Sequence, residues 1–312
     1  MMNKILGLHH ITAIASDAQR NYDFYTKTLG FRLVKKTVNF DDPTTYHFYF
    51  GNEVGTPGTV LTFFPWTGIS KGRIGAGMAT EIGYSVPKGS LEFWKARFEK
   101  LNIRFNAGEQ FGEQYIDFQD PDGLRLKLIE TKEKDEREVW ETDEIKAAVA
   151  IKGFHTVTLT LKNIKATADV LTEIFGYKQV EKESNLYRYQ TDAVENAAII
   201  DLLEIPQASP GINAGGTNHH IAFRVKDEET LMEFREKIVA KGLNITGKID
   251  RDYFFSLYFR EPGGVLFEIA TDNPGFATDE TVENLGSSLQ LPTQHEPLRD
   301  KIEKALPKLQ TK

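Results

Sequence analysis

Two adjacent histidine pairs, His9-His10 and His219-His220, and one carboxylate, Glu268, are the residues whose types point to metal chemistry. Two imidazoles and a carboxylate brought together on sheet surfaces make a facial set of three ligands. Such a set leaves three neighbouring positions of a divalent ion open, as in non-haem Fe(II) enzymes that hold a substrate and O2 together. Manganese(II) suits the same donors. The chain has no cysteine, which excludes thiolate catalysis, disulfides and iron–sulfur clusters. Ligands must therefore come from Asp, Glu and the seven histidines at 9, 10, 47, 155, 219, 220 and 295, and four of those seven lie in the two pairs. Glu268 stands in the apolar run GVLFEIA, where an unpartnered carboxylate is costly. The lone His47, His155 and His295 read as structural.

The elements that must position these residues form a fourfold repeat. Opening strands are expected at 7–14, 79–86, 153–159 and 217–223. Each runs into an amphipathic helix, expected at 17–29, 90–101, 163–175 and 227–241, and then into about three further strands. Asp17 suits a helix N-cap, and Gly30, Gly176 and Gly242 suit helix ends. When the opening strands are aligned, His10 matches His220, and His9 matches His155 and His219. The second unit has Thr80 and Glu81 at the two places, and the third has Thr156 at the second. Side chains alternate along a strand, so each pair is expected to split between the two faces, with one histidine entering a concave surface. Alternation alone does not choose which. The closing segments EPGGVLFE and DPDGLRLK place Lys127 where the fourth unit has Glu268, and VLTF places Phe63 there in the first. Glu81 is expected to be paired or solvent-facing.

One such unit cannot cover its own sheet, so units must pack in pairs. The fold class is α+β, with residues 1–135 and 136–272 as two domains of two units each and 273–312 as a wrapping tail with a helix near 297–305. The acidic run 131–145 reads as the linker. The 312 residues suit about two domains, and 40% apolar with 27% charged residues is ordinary for a globular protein. No run approaches the roughly 20 apolar residues of a membrane helix, and the N-terminal stretch has no signal-peptide pattern, so a cytoplasmic protein is expected. A net charge of −7 disfavours nucleic-acid binding.

Seven segments carry a family resemblance: LHHIT at 8–12, YHFYFGNEVGTPGTVLTFFP at 46–65, PKGSLEFW at 87–94, GFHTVTL at 153–159, IIDLLE at 199–204, HHIAF at 219–223 and PGGVLFE at 262–268. Over nearly its whole length the chain resembles the vicinal oxygen chelate (glyoxalase/bleomycin resistance/dioxygenase) superfamily. More narrowly, it is similar to the ring-cleaving hydroquinone dioxygenases of the MhqO type. The resemblance implies four βαβββ modules forming two cupped mixed sheets. It also implies that the second histidine of each pair binds the metal, giving His10, His220 and Glu268 in a cup shared by the first and fourth modules. Tyr258, Thr12, Arg251, His9 and His219 match polar residues around the family's site. Tyr258 faces Glu268 if PGG forms a three-residue loop, and with His219 it is a candidate for proton handling. The implied activity is Fe(II)-dependent, extradiol-type cleavage of a hydroquinone ring, adding both atoms of O2. The partners are a small aromatic substrate and O2, and association into a homo-oligomer is compatible with this fold. Two alternatives stand beside it. A glyoxalase-like isomerase or lyase commonly uses a further carboxylate where Phe63 is expected, and a non-catalytic binding protein of this fold loses the metal residues.

Overall fold

The structure, a computed structural model, describes residues 4–311. The first module comprises β1 (Leu8–Ala15), α1 (Ala18–Asp23), β2 (Arg32–Val38), β3 (Tyr46–Gly51) and β4 (Val60–Pro65). The second comprises β5 (Met78–Val86), α2 (Leu91–Lys100), β6 (Phe105–Gln110), β7 (Glu113–Gln119) and β8 (Arg125–Glu130). The third has β9 (Gly153–Leu161), α3 (Lys165–Asp169), β10 (Lys178–Glu183), β11 (Leu186–Gln190) and β12 (Ile199–Glu204). The fourth has β13 (Thr217–Val225), α4 (Glu228–Ala240), a two-residue β14 (Ile249–Asp250), β15 (Phe254–Arg260) and β16 (Leu266–Pro274). In the tail, α5 (Arg299–Ala305) falls on the expected helix.

Local chemistry accounts for the helix boundaries. The Asp17 carboxylate accepts the Arg20 backbone N–H at 2.7 Å, and the Asp227 carboxylate accepts that of Thr230 at 3.0 Å. In the first and third modules the α-helix passes into a π turn, Phe24–Thr28 and Val170–Ile174.

The strands form two mixed eight-stranded sheets. One runs β14-β15-β16-β13-β1-β4-β3-β2, and the other β10-β11-β12-β9-β5-β8-β7-β6. The first joins modules one and four, and the second joins modules two and three, so a boundary near residue 135 cuts through both pairings. The chain halves expected as domains therefore do not each close a sheet of their own. Within each half, a carboxylate in the turn of the even module ties one sheet to the other. Asp120 accepts from the Tyr25 hydroxyl at 3.2 Å, and Glu261 accepts from the Thr167 hydroxyl at 2.7 Å.

Alternation places Ile11, Phe63, Ile221 and Phe267 in one continuous core with Ile82, Leu126 and Val157 of the other sheet. The opposite, concave face of the first sheet has its own smaller cluster, which the tail completes with Phe276 and Leu285. The tail also carries Asp279 and Glu280, which hold the fully buried Lys35 ammonium at 2.5 and 2.6 Å. Gly286 has φ +74°, and a Cβ there would lie 1.9 Å from the Leu33 carbonyl oxygen. No helix among the described residues is long and apolar enough to cross a membrane.

Candidate metal centre

β1 and β13 run antiparallel at the middle of the first sheet, and each carries one extra residue in their ladder. Leu8 pairs with Phe223 but His10 with Ala222, which leaves His9 bulged. Thr12 pairs with His220 but Ala13 with Asn218, which leaves His219 bulged. A bulge breaks strict alternation and turns two successive side chains toward one side. Both members of each histidine pair therefore meet: His9 Nδ1 is 2.9 Å from His10 Nδ1, and His219 Nδ1 is 2.8 Å from His220 Nδ1. The expectation that each pair splits across the sheet is corrected by this geometry.

Glu268 enters from β16. The turn at 262–264 closes as expected, with the Glu261 N–H donating to the Val265 carbonyl at 3.1 Å. Tyr258 accordingly stands opposite Glu268 in the ladder, and Ala222 flanks Glu268 on the other side. His10 Nε2 lies 3.1 Å and His220 Nε2 2.8 Å from the same carboxylate oxygen, Glu268 Oε2. The ligand atoms of the three residues fall within 4.8 Å of one another, and the residues are 3%, 6% and 0% exposed. Close as they are, His220 Nε2 and both Glu268 oxygens make no properly directed hydrogen bond. Buried donor atoms left without such a bond and gathered this closely are what a site for a cation offers. Burial alone would raise the Glu268 pKa, but the adjacent His10 and His220 hold it well below the usual carboxylate range. Burial lowers His220. One anion and neutral imidazole suit a divalent ion.

The centre forms the floor of a cavity of about 360 Å³. Phe40, Phe64, Trp66 and Phe254 supply aromatic walls, and the Trp66 indole N–H is tied to Asp42 at 3.1 Å. Thr12, His219, Arg251 and Tyr258, which the family resemblance puts around the site, all line this cavity. His9 sits behind His10, buried against the Phe254 ring at 5.3 Å. Arg251 lies over the rings of Phe40 and Tyr258, at 5.2 and 5.3 Å, and makes no ion pair among the described residues. Burial raises the Tyr258 pKa, so its phenol stays protonated. His47, read from sequence as structural, also lines the cavity, with Nε2 2.9 Å from the Thr62 hydroxyl and Nδ1 2.9 Å from that of Tyr49. The signal for it was present in β3, where Tyr46, Phe48 and Phe50 face the core and His47 and Tyr49 occupy the alternate positions.

Comparison with known proteins gives the family. The family model of the Glyoxalase/Bleomycin resistance protein/Dioxygenase superfamily matches residues 7–128 and 153–269. The chain belongs to this superfamily. It is 49% identical over 306 residues to "Putative ring-cleaving dioxygenase MhqO" of Bacillus subtilis, covering 98% of this chain and 97% of that protein. It is 36% identical to "Chlorohydroquinone/hydroquinone 1,2-dioxygenase" of Sphingobium indicum, covering 96% and 95%. A crystal structure titled as a putative dioxygenase from Bacillus subtilis superimposes with a TM-score of 0.96 at 47% identity, over 99% of each chain.

Within this superfamily member the second sheet repeats the plan without the ligands. Thr80 and His155 are the bulged residues there, and Glu81 and Thr156 occupy the places of the two Nε2-presenting histidines. Gly83 pairs with Lys127 as Ala222 pairs with Glu268, and the Lys127 ammonium meets the Glu81 carboxylate at 2.7 Å. Arg188 ties Asp201 and Glu113 together, each at 2.9 Å, and His155 adds a contact to Glu113 at 3.0 Å. The first module's counterpart of Glu268 is Thr62, opposite Thr12, and not Phe63, which is packed in the core. That corrects the register expected from VLTF by one residue. A second carboxylate, which would be the fourth ligand, is still missing from the first sheet at this place.

Proposed function

We propose that this chain is a metal-dependent ring-cleaving dioxygenase of hydroquinones, with His10, His220 and Glu268 as ligands and Fe(II) as the metal. The observation that carries the reading is the buried His/His/Glu set at the floor of an aromatic-walled cavity large enough for a single substituted ring. The names of the two relatives, one specifying ring cleavage and the other hydroquinone, support it. A divalent iron held on one face would lower the pKa of a bound phenol and offer an adjacent position for O2.

The protein's own contribution follows from the hydrogen bonds. If His10 and His220 present Nε2 lone pairs, their protons sit on Nδ1, and each is donated to the Nδ1 of its neighbour, His9 or His219. The outer histidine of each pair thus fixes the tautomer and ring plane of the inner one. Burial keeps both outer histidines neutral, His9 well below the ordinary histidine range and His219 at about 3. With Nδ1 accepting, His219 carries its proton on Nε2, so it serves a ligand in the cavity as a donor and not as a base. Tyr258 and Arg251 are further donors, placed to orient an oxygen anion of the substrate. The Phe and Trp walls exclude water from the ring.

Oxygen consumption by anaerobically purified, Fe(II)-loaded protein tests the reading, with methylhydroquinone as substrate and catechol as control. Uptake with the hydroquinone, accompanied by a ring-opened product absorbance, is expected. Uptake with catechol alone would overturn the substrate class. No uptake despite bound iron would overturn the dioxygenase reading.

A further inference from the structure

The first sheet is open along one side, with β2 at one end of its strand order and β14 and β15 at the other. Two sets of contacts cross between these ends. Asp279 of the tail takes the Lys35 ammonium of β2 on one carboxylate oxygen at 2.5 Å. Its other oxygen takes the hydroxyl of Tyr253, just before β15, at 2.8 Å. Beside the cavity, the ring of Phe40, just past β2, lies 5.2 Å from the guanidinium of Arg251, which precedes β15.

Phe40 belongs to the loop 39–45 between β2 and β3, which has hydrogen bonds of its own. The Asn39 N–H donates to the Thr45 carbonyl and the Asp41 N–H to the Asn39 side chain, each at 2.9 Å. The Asp42 carboxylate accepts from the Thr44 and Thr45 hydroxyls at 2.6 and 2.7 Å. These bonds set the shape of the loop but not where it sits. Contacts with other segments do that. The Trp66 indole holds Asp42, and the tail holds Phe40: its carbonyl accepts from His295 Nε2 at 3.0 Å and from Gln294 Nε2 at 3.4 Å. A carbonyl oxygen only accepts, so His295 carries a hydrogen on Nε2 and the sense of this bond is fixed. Neither His295 nor Gln294 lines the cavity.

Arg251 depends on what Phe40 does. It makes no ion pair among the described residues, so its contacts are the Tyr258 side chain and the Phe40 ring. An aromatic face attracts a guanidinium without occupying its N–H donors. Held in this way, Arg251 keeps donors free for a ligand in the cavity it lines.

We infer that His295 is a positioning residue: by donating to the Phe40 carbonyl, the tail keeps the Phe40 ring on Arg251, and so keeps the guanidinium placed for an oxygen anion of the substrate. The identity of that anion, a hydroquinone phenolate, rests on the proposed function. The hold of the tail on Phe40 does not.

Two measurements test it separately. The first needs no catalysis. With 4-fluorophenylalanine at position 40, the difference in 19F shift between H2O and D2O reports how far water reaches the ring. Gln294→Ala/His295→Ala removes both donors and should increase that difference. Gln294→Ala/His295→Gln, whose new amide can donate to the same carbonyl, should return it toward the parent value. A difference that is the same in all three proteins overturns the inference whatever the protein catalyses.

The second measurement is KM and kcat with methylhydroquinone. Removing both donors is expected to raise KM by about 3- to 10-fold, the effect of one hydrogen bond, and to change kcat by less than about twofold. The His295→Gln form should recover most of the loss. In a Phe40→Leu background, removing both donors should raise KM no further, because both changes act on one ring. An unchanged KM, a fall confined to kcat, or losses that multiply with Phe40→Leu overturn the role in substrate binding. If the parent protein does not consume oxygen with the hydroquinone, it is the functional reading that fails, and the 19F measurement alone then decides the hold on Phe40.

Discussion

Replacing Glu268 by Gln should remove metal binding while leaving the fold in place. The substitution keeps the side chain's size in a site that is 0% exposed, and deletes the anion that faces His10 and His220 at 3.1 and 2.8 Å. Removing one partner of a buried, directed charge interaction costs about 2–5 kcal/mol, which corresponds to a fall in metal affinity of roughly 30- to 4,000-fold. Thermal unfolding gives a direct readout. Free metal at about one hundred times its Kd stabilises the native state by about 2.7 kcal/mol. At about 2.1 cal/mol/K per residue, the unfolding entropy of a 312-residue chain converts this into a rise in Tm of about 4 °C. Glu268→Gln at the same metal concentration should show a rise of about 1 °C or less. Metal content after gel filtration, by atomic emission, should fall in parallel. A variant that retains stoichiometric iron and the full Tm shift would refute the assignment of Glu268 as a ligand.

The other expectations concern the surroundings. His9→Leu leaves the His10 Nδ1 proton without its acceptor and should weaken metal binding by about 10- to 100-fold, measured by competition with a chelating dye. Glu113 has its pKa held at about 2: burial raises it, but the contacts to His155 and Arg188 outweigh this. Because its folded pKa lies below the unfolded value, the pair contributes about 3 kcal/mol above pH 4.5, and that contribution is lost as pH falls from 4.5 toward 2. Urea unfolding at pH 6 and pH 3 should show this loss in the parent and a smaller difference in Glu113→Gln. Gly286→Ala should destabilise by about 2 kcal/mol or more, since alanine at positive φ is strained and its Cβ meets the Leu33 carbonyl. Cleavage in the tail under limited proteolysis should rise with it, and an unchanged Tm would contradict the packing described.

Much of the fold was legible because the chain repeats itself. The four opening strands, the helix positions and the equivalence of His10 with His220 come from comparing the chain with itself, and the structure keeps all three. What failed was counting by one residue. Strand alternation assumes a regular ladder, and a bulge depends on the register of a partner strand about two hundred residues away, so nothing local to LHHIT announces that His9 turns beside His10. The same kind of slip put Phe63 where Thr62 stands. His47 was passed over because a single histidine among aromatic residues looks like core, although its alternation with Tyr46 and Phe48 placed it on the other face. Lys35 was invisible as a buried cation, since the carboxylates that hold it belong to a tail whose path no periodicity describes. The pairing of modules one and four came from family resemblance, because spacing alone does not tell which repeats share a sheet.

That pairing also governs when the centre can exist. His10 lies on the first strand of the chain and Glu268 on the last strand of its sheet. A ribosome making this protein therefore releases His10 long before His220 and the Glu268 carboxylate. Two modules that form the other sheet are synthesised in between, and they can assemble while the first module waits with half a cup. Only a chain extended past Glu268 can bring the three ligands together, so a product cut short before it has no complete set of donors with which to hold a reactive metal.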